Sequence, residues 1–202
     1  MKLDRDAWPF LGALAAATAA AAWWSPWAAL VPAALLAFVA QFFRDPERRP
    51  PDRPGALLCP ADGRVIAAGP DRISVFMNVF DVHVCRSPCA GRVVSVEHRS
   101  GSFVSAFRDA ASEHNERTEI VVEGEGGRVR FVLVAGLVAR RIVCRVSPGV
   151  GVSAGERVGL IRFGSRVDLD VPPGAAPLVR VGDRVVAGET VLVALPPANR
   201  YS

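Results

Sequence analysis

A run of 37 residues without Asp, Glu, Lys or Arg, positions 7–43, is the feature that most restricts how this chain can fold. A single straight helix of that length would extend about 55 Å, whereas the hydrocarbon core of a bilayer is about 30 Å thick. Pro26 interrupts the run among three tryptophans, a residue type that favours the membrane interface. The pattern therefore predicts two helices, about 9–24 and 27–43, that form a hairpin, with residues 1–43 as a membrane anchor.

Positive charge flanks both ends of this run. The flanking cations are Lys2, Arg5, Arg44, Arg48 and Arg49. Because cations favour the cytoplasmic side, both ends of the hairpin are predicted to be cytoplasmic, with the rest of the chain on the cytoplasmic side of the cell's inner membrane. A cleaved signal peptide is the competing interpretation, which acidic residues near the N-terminus disfavour. The net charge of +4 comes without a long basic run, so an anionic lipid surface is a better partner than nucleic acid.

Residues 44–56 are rich in Pro and Arg, so they cannot continue a helix and are predicted to form a short, stiff linker. From residue 57 to residue 202, short runs of Val, Ile and Leu alternate with Gly, Pro, Asp and Asn. That pattern predicts a mainly β domain, a sandwich or a barrel. Only residues 103–115 lack strand character for long enough to be a helix or an ordered loop.

Two internal echoes indicate a duplicated β architecture. PADGRV at 60–65 matches PCAGRV at 88–93, and SAGERVGLI at 153–161 matches VAGETVLVA at 186–194. Such AGE-x-V hairpins resemble those of lipoyl- and biotinyl-type domains, which predicts a barrel-sandwich-like β domain. A carrier domain of that type needs an acylated lysine, and the chain has only Lys2. A pyridoxal phosphate (PLP) cofactor also needs a lysine, so neither can be attached in this domain.

The four cysteines, at positions 59, 85, 89 and 144, form no CxxC pair and show no metal-ligand spacing with the three histidines. Free thiols and no metal are therefore predicted.

Four segments carry residue types suited to chemistry. They are CPADGRV with Asp62, FMNVFDVHVCRSPCAGRV with His83, NER at 115–117, and GLIRFGSRVDLDVP with Gly164 and Ser165. Together, and in this order, they resemble the short bacterial and archaeal branch of the phosphatidylserine decarboxylase family. The resemblance extends over nearly the whole chain, including the apolar N-terminal anchor.

The resemblance implies an enzyme that converts phosphatidyl-L-serine to phosphatidylethanolamine and CO₂ in phospholipid biosynthesis. Its cofactor would be a pyruvoyl group made from Ser165, which reacts with the substrate amine as a Schiff base. The chain would cleave itself between Gly164 and Ser165 into a large chain, 1–164, and a small chain, 165–202, that stay associated. A homo-oligomer is compatible with the resemblance.

Self-cleavage needs a base, because a serine hydroxyl is a weak nucleophile at neutral pH. A third group must in turn orient that base. Asp62 and His83 are the candidates. The longer bacterial enzymes resemble D-x-H-x-x-H-x-P in this segment, but this chain has Arg86 in place of the second histidine. Either His83 serves both self-cleavage and decarboxylation, or His114 enters the site; the flanking residues favour His83.

Other interpretations remain open from the residues. Asp62 precedes a glycine and could only shape a turn, and a Gly-Ser pair is a common turn by itself. The substrate could be another aminophospholipid, such as an archaetidylserine, since nothing in the sequence specifies the lipid tail. A membrane-anchored adaptor of the transport-accessory kind would use the AGE-x-V hairpins for assembly and would leave the chain intact.

Overall fold

The computed structural model describes residues 2–101, 115–136, 141–162 and 165–195, and the chain divides into two compact units, residues 1–47 and 48–202. The segment 103–115, predicted as helix or loop, lies outside the described residues except for Asn115. The domain boundaries at 43/44 and 56/57 stay predictions.

The first unit contains a 3-10 turn, Arg5–Ala7, and two helices, α1 (Trp8–Trp24) and α2 (Leu30–Phe42). Helix α1 ends at Trp24, and the C-cap residue Ser25 is extended because it precedes Pro26. A turn follows, in which the amide of Ala28 donates to the carbonyl of Ser25, so α2 begins three residues later than predicted.

The two ends of this unit are joined by backbone hydrogen bonds. The amide of Asp4 donates to the carbonyl of Phe43 at 2.8 Å, and the amide of Asp45 donates to that of Lys2 at 2.9 Å. The predicted two-helix hairpin is therefore present. In the part of the chain that the structure describes, no helix is both long enough and apolar enough to cross a bilayer.

Among its described residues the second unit contains fourteen short strands, which confirms the mainly β class. They are β1 (Ala56–Leu58), β2 (Gly63–Ala68), β3 (Arg72–Met77), β4 (Val84–Arg86), β5 (Gly91–Arg99), β6 (Arg117–Gly124), β7 (Gly127–Val134), β8 (Ile142–Cys144), β9 (Gly151–Val152), β10 (Arg157–Ile161), β11 (Ser165–Asp170), β12 (Ala176–Pro177), β13 (Arg184–Val185) and β14 (Val191–Ala194).

The described strands form three sheets, with strand orders β13-β2-β3-β11-β7-β6-β5-β9, β4-β10-β8 and β1-β14-β12. Within the described residues the eight-stranded sheet has two free edges, β13 and β9, so it is open. The barrel-sandwich detail stays a prediction.

The internal echoes of the sequence correspond to reciprocal hydrogen bonds. The amide of Leu58 donates to the carbonyl of Pro88, and the amide of Arg86 donates to that of Pro60. The two AGE turns also make matching hydrogen bonds. The amide of Gly155 donates to the carbonyl of Ser87, and the amide of Gly188 donates to the carbonyl of Cys59. The repeated sequence segments therefore make matching backbone contacts.

The core lies on one face of the central strands. Side chains alternate along a strand, so Val167 and Leu169 of β11 share this face with Ser165. The opposite face of the same strand carries Arg166 and Asp168, both buried.

Candidate active site

Ser165 is the first residue of β11 and is fully buried. Its backbone is in register with Met77 of β3. The Oγ atom is buried and has no hydrogen-bond partner among the residues that the structure describes. A buried hydroxyl normally has a partner, because leaving it unpaired costs free energy. The catalytic role of Ser165 stays a prediction. Gly164 and His114 lie outside the described residues.

His83 is also fully buried, in the loop between β3 and β4. Its Nδ1 lies 3.0 Å from the backbone carbonyl oxygen of Asp81. Since a carbonyl oxygen can only accept a hydrogen bond, Nδ1 carries the proton. In a neutral ring Nε2 then has the lone pair, and this is the tautomer that a general base needs.

His83 and Ser165 lie at one junction between two sheets. The segment 77–83 runs from β3 of the eight-stranded sheet towards β4 of a three-stranded sheet. The segment 161–165 connects β10, which is the neighbour of β4, to β11, which is the neighbour of β3. The two segments are paired at both ends, since Met77 is in register with Ser165 and the amide of Ile161 donates to the carbonyl of His83 at 3.3 Å. The fold thus places two of the predicted site residues on paired segments.

Asp62 is held by two other groups. Its Oδ1 accepts the amide hydrogen of Ala187 at 2.8 Å, and its Oδ2 accepts one from Arg48 Nη2 at 2.7 Å. Burial raises the pKa of Asp62, while these two contacts lower it and the nearby Asp81 raises it. Asp62 and His83 share no hydrogen bond among the described contacts, so a catalytic role for Asp62 stays a prediction.

Asp81 and Arg184 are two neighbours that the sequence analysis did not assign to the site. The buried carboxylate of Asp81 accepts the amide hydrogen of Asn78 at 2.9 Å and pairs with Arg184 at 2.8 Å. These contacts hold the loop whose carbonyl binds His83. The Asp-x-His spacing was the only signal for Asp81, and the sequence contains none for Arg184.

Arg86, at the position of the family's second histidine, is buried and donates from Nη1 to the carbonyl of Gly155 at 2.9 Å. The Arg86 side chain also packs against Gly188: a Cβ atom added at Gly188 would lie 3.0 Å from Arg86 Cδ. The guanidinium therefore binds the first AGE turn and supports the contact between the two turns.

Three of the four cysteine thiols are poor nucleophiles in this structure. Burial raises the pKa of Cys59 to about 12 and that of Cys89 to about 11, and it also raises the pKa of Cys85. In the described ranges, no group of three or more His, Cys, Asp or Glu side chains is arranged to hold a metal ion. The absence of a metal stays a prediction.

Comparison with known proteins agrees with the resemblance seen in the sequence. A family profile described as "Phosphatidylserine decarboxylase" matches residues 35–72 and 68–193. A phosphatidylserine decarboxylase proenzyme of Beijerinckia indica subsp. indica is 46% identical over 204 residues, which cover 93% of this chain and 87% of the relative. A protein of the same name from Burkholderia mallei (strain SAVP1) is 46% identical over 213 residues, which cover 96% and 95%. This chain belongs to the phosphatidylserine decarboxylase family and is an enzyme, a decarboxylase.

Proposed function

We propose that this enzyme converts phosphatidyl-L-serine to phosphatidylethanolamine and CO₂ with a pyruvoyl group that it makes from its own Ser165. The observation that carries the proposal is the buried Ser165 Oγ at the start of β11, without a hydrogen-bond partner among the described residues. Its relatives are named proenzymes, which supports processing of this chain as well.

In the processing step, Ser165 Oγ attacks the carbonyl carbon of Gly164 while His83 Nε2 accepts the hydroxyl proton. The acyl group then moves from nitrogen to oxygen: the C–N bond between Gly164 and Ser165 breaks, an ester forms, and His83 returns the proton to the freed amine. β-Elimination then removes the Cα proton of residue 165 and breaks its Cβ–O bond, which releases the carboxylate of the large chain, 1–164, and leaves dehydroalanine at position 165. Water hydrolyses this residue with loss of ammonia, so the small chain, 165–202, begins with a pyruvoyl group.

The residues present fit such a group. Ser165 is enclosed on the core face. The single lysine of the chain, Lys2, is exposed and paired with Glu47, so no buried lysine is available to hold a cofactor. The pyruvoyl group supplies the electrophilic carbonyl and electron sink that decarboxylation of an amino acid requires. The buried His83 would accept and return a proton at Nε2 during turnover, and the enclosing core residues would exclude water.

The two chains would stay together after cleavage because the small chain contributes strands to shared sheets. Strand β11 lies between β3 and β7, and β13 and β14 pair with β2 and β1. The Arg184–Asp81 ion pair also joins the two chains.

Membrane attachment through residues 1–43 is part of the proposal. The helical unit exposes a set of large apolar side chains that water solvates poorly: Trp8, Phe10, Trp23, Trp24, Trp27, Leu30, Val31 and Leu35. Insertion of this surface into the cytoplasmic leaflet of the inner membrane would bury it and keep the enzyme near a lipid substrate.

Intact mass spectrometry of the purified protein tests the processing step. We expect masses for 1–164 and 165–202, with a pyruvoyl terminus on the smaller chain. Ser165→Ala should give one 21.5 kDa chain without activity, whereas Ser153→Ala, a change at an exposed turn, should be cleaved normally. An active, cleaved Ser165→Ala protein would exclude the proposal.

Release of CO₂ from vesicles tests the substrate. Phosphatidylserine with bacterial acyl tails and an archaetidylserine are assayed separately. Because they share the headgroup and differ in the tail, the comparison shows whether the enzyme selects its substrate by headgroup or by tail. We expect turnover without added pyridoxal phosphate and in the presence of a metal chelator. Loss of turnover on chelation would contradict the predicted absence of a metal.

A further inference from the structure

A buried ion pair lies directly beside the proposed cleavage point. Arg166 is fully buried, and its Nε donates to Asp168 Oδ1 at 2.6 Å. Its Nη2 donates to the hydroxyl oxygen of Ser74, also buried, at 3.2 Å. A buried ion pair adds little net stability, because desolvation of the two charges offsets their attraction. The geometry that the pair imposes is therefore its main physical effect.

The position of the pair within β11 is specific. Ser165 is in register with one neighbour, Met77 of β3. Arg166 is the first residue of the strand that is in register on both sides, with Phe76 and with Val134. Cleavage before residue 165 would leave that residue attached through a single peptide bond, and chain termini fray unless side-chain contacts hold them.

We propose that Arg166 is a positioning residue which, through Asp168 and Ser74, holds the new end of the small chain in place after cleavage. The group at position 165 then keeps the orientation that turnover requires. The inference rests on the proposed function. It assigns the ion pair to turnover, since before cleavage residue 165 is held by peptide bonds on both sides.

The test replaces the pair by apolar residues of similar size, Arg166→Met with Asp168→Leu, because such exchanges usually keep a protein folded. The control is a more exposed pair, Arg130→Met with Asp170→Leu, in which Arg130 also pairs with Glu119. This second pair has a separation of 2.9 Å and lies at the other end of β11, with side chains 42% and 40% exposed. Both proteins are checked for folding by thermal melting.

Three measurements separate positioning from a general structural effect. We expect the Arg166/Asp168 variant to cleave to the normal masses and to lose about 10- to 100-fold in kcat with a smaller change in KM. Its terminal carbonyl should react faster with hydroxylamine, because a frayed end is more accessible. Amide hydrogen exchange at the start of β11 should be faster only in the cleaved protein, and not when Ser165→Ala keeps the chain intact. The control should match the wild type in all three.

Each alternative result has a distinct meaning. A folded variant that fails to cleave would assign the pair to processing and overturn the inference, as would unchanged kcat and hydroxylamine reactivity. Equal losses in the control variant would also overturn it. Absence of cleavage in the wild type would contradict the proposed function instead.

Discussion

Arg48→Met tests the electrostatic contact between the linker and Asp62. The atoms Arg48 Nη2 and Asp62 Oδ2 are 2.7 Å apart, and their side chains are only 13% and 15% exposed, so water screens the pair weakly. An opposite charge at this range lowers a carboxyl pKa by about 1–3 units, and each unit corresponds to about 1.4 kcal/mol. Because some solvent reaches the pair, we expect a loss of about 2 kcal/mol in the free energy of unfolding at pH 7.5.

The sign of the pH dependence follows from the pKa of Asp62. Burial already raises this pKa above that of the unfolded chain, and removal of Arg48 raises it further. Both proteins bind the proton at low pH, so the deficit is small there. The deficit grows as the pH rises from the pKa of Asp62 in the wild type to its pKa in the variant. Above the variant's pKa the deficit is constant. The deficit should therefore be at most half as large at pH 4.5 as at pH 7.5.

Urea unfolding followed by circular dichroism measures this difference in the uncleaved Ser165→Ala protein. Circular dichroism is preferable to fluorescence because all four tryptophans lie within residues 8–27, in the helical unit. Arg49→Met is the control, since Arg49 is exposed and its described hydrogen bond to Glu189 uses the backbone amide. An equal deficit at both pH values would show that Arg48 acts through packing, which would refute the electrostatic argument.

Further predictions concern the base, a turn and the anchor. His83→Ala should block or greatly slow cleavage, as measured by mass. Normal cleavage of His83→Ala together with loss of cleavage in His114→Ala would assign the base to His114 instead. Gly63→Ala should cost at least about 2 kcal/mol in urea unfolding, because φ is +151° and a Cβ would stand 2.1 Å from a backbone oxygen of β3. Gly69→Ala, with its nearest contact at 3.7 Å, should change stability by less than about 1 kcal/mol. Deletion of residues 1–43 should release the protein from sedimenting vesicles; full sedimentation would require another binding surface.

Several elements of the fold followed from local patterns. The apolar run with Pro26 predicted the two helices, and the alternation of Val and Ile with turn residues predicted the strands. The start of α2 was predicted three residues too early, because residues 25–29 form a hydrogen-bonded turn that apolar composition alone does not reveal. The family resemblance was confirmed, since its four motifs are spread across the chain.

The candidate site was only partly predictable. The motif containing Ser165 and that containing His83 are distant in sequence, and paired segments bring them to one junction. The sequence analysis predicted Asp62 as the partner of the base, and that role stays a prediction. In the structure a backbone carbonyl, that of Asp81, binds the imidazole. A backbone acceptor leaves no signature in residue type, so no reading of motifs could have identified it.

The sequence by itself determined the elements and the chemistry available to them: an apolar hairpin, short strands with tight turns, one lysine, and a Gly-Ser pair in a recognisable context. These properties depend on near neighbours in the chain or on composition. Only the tertiary structure decided which charges meet. Asp62 contacts Ala187 across 125 positions, and Asp81 contacts Arg184 across 103. Such pairs depend on how distant strands pack, and packing is a property of the whole folded chain.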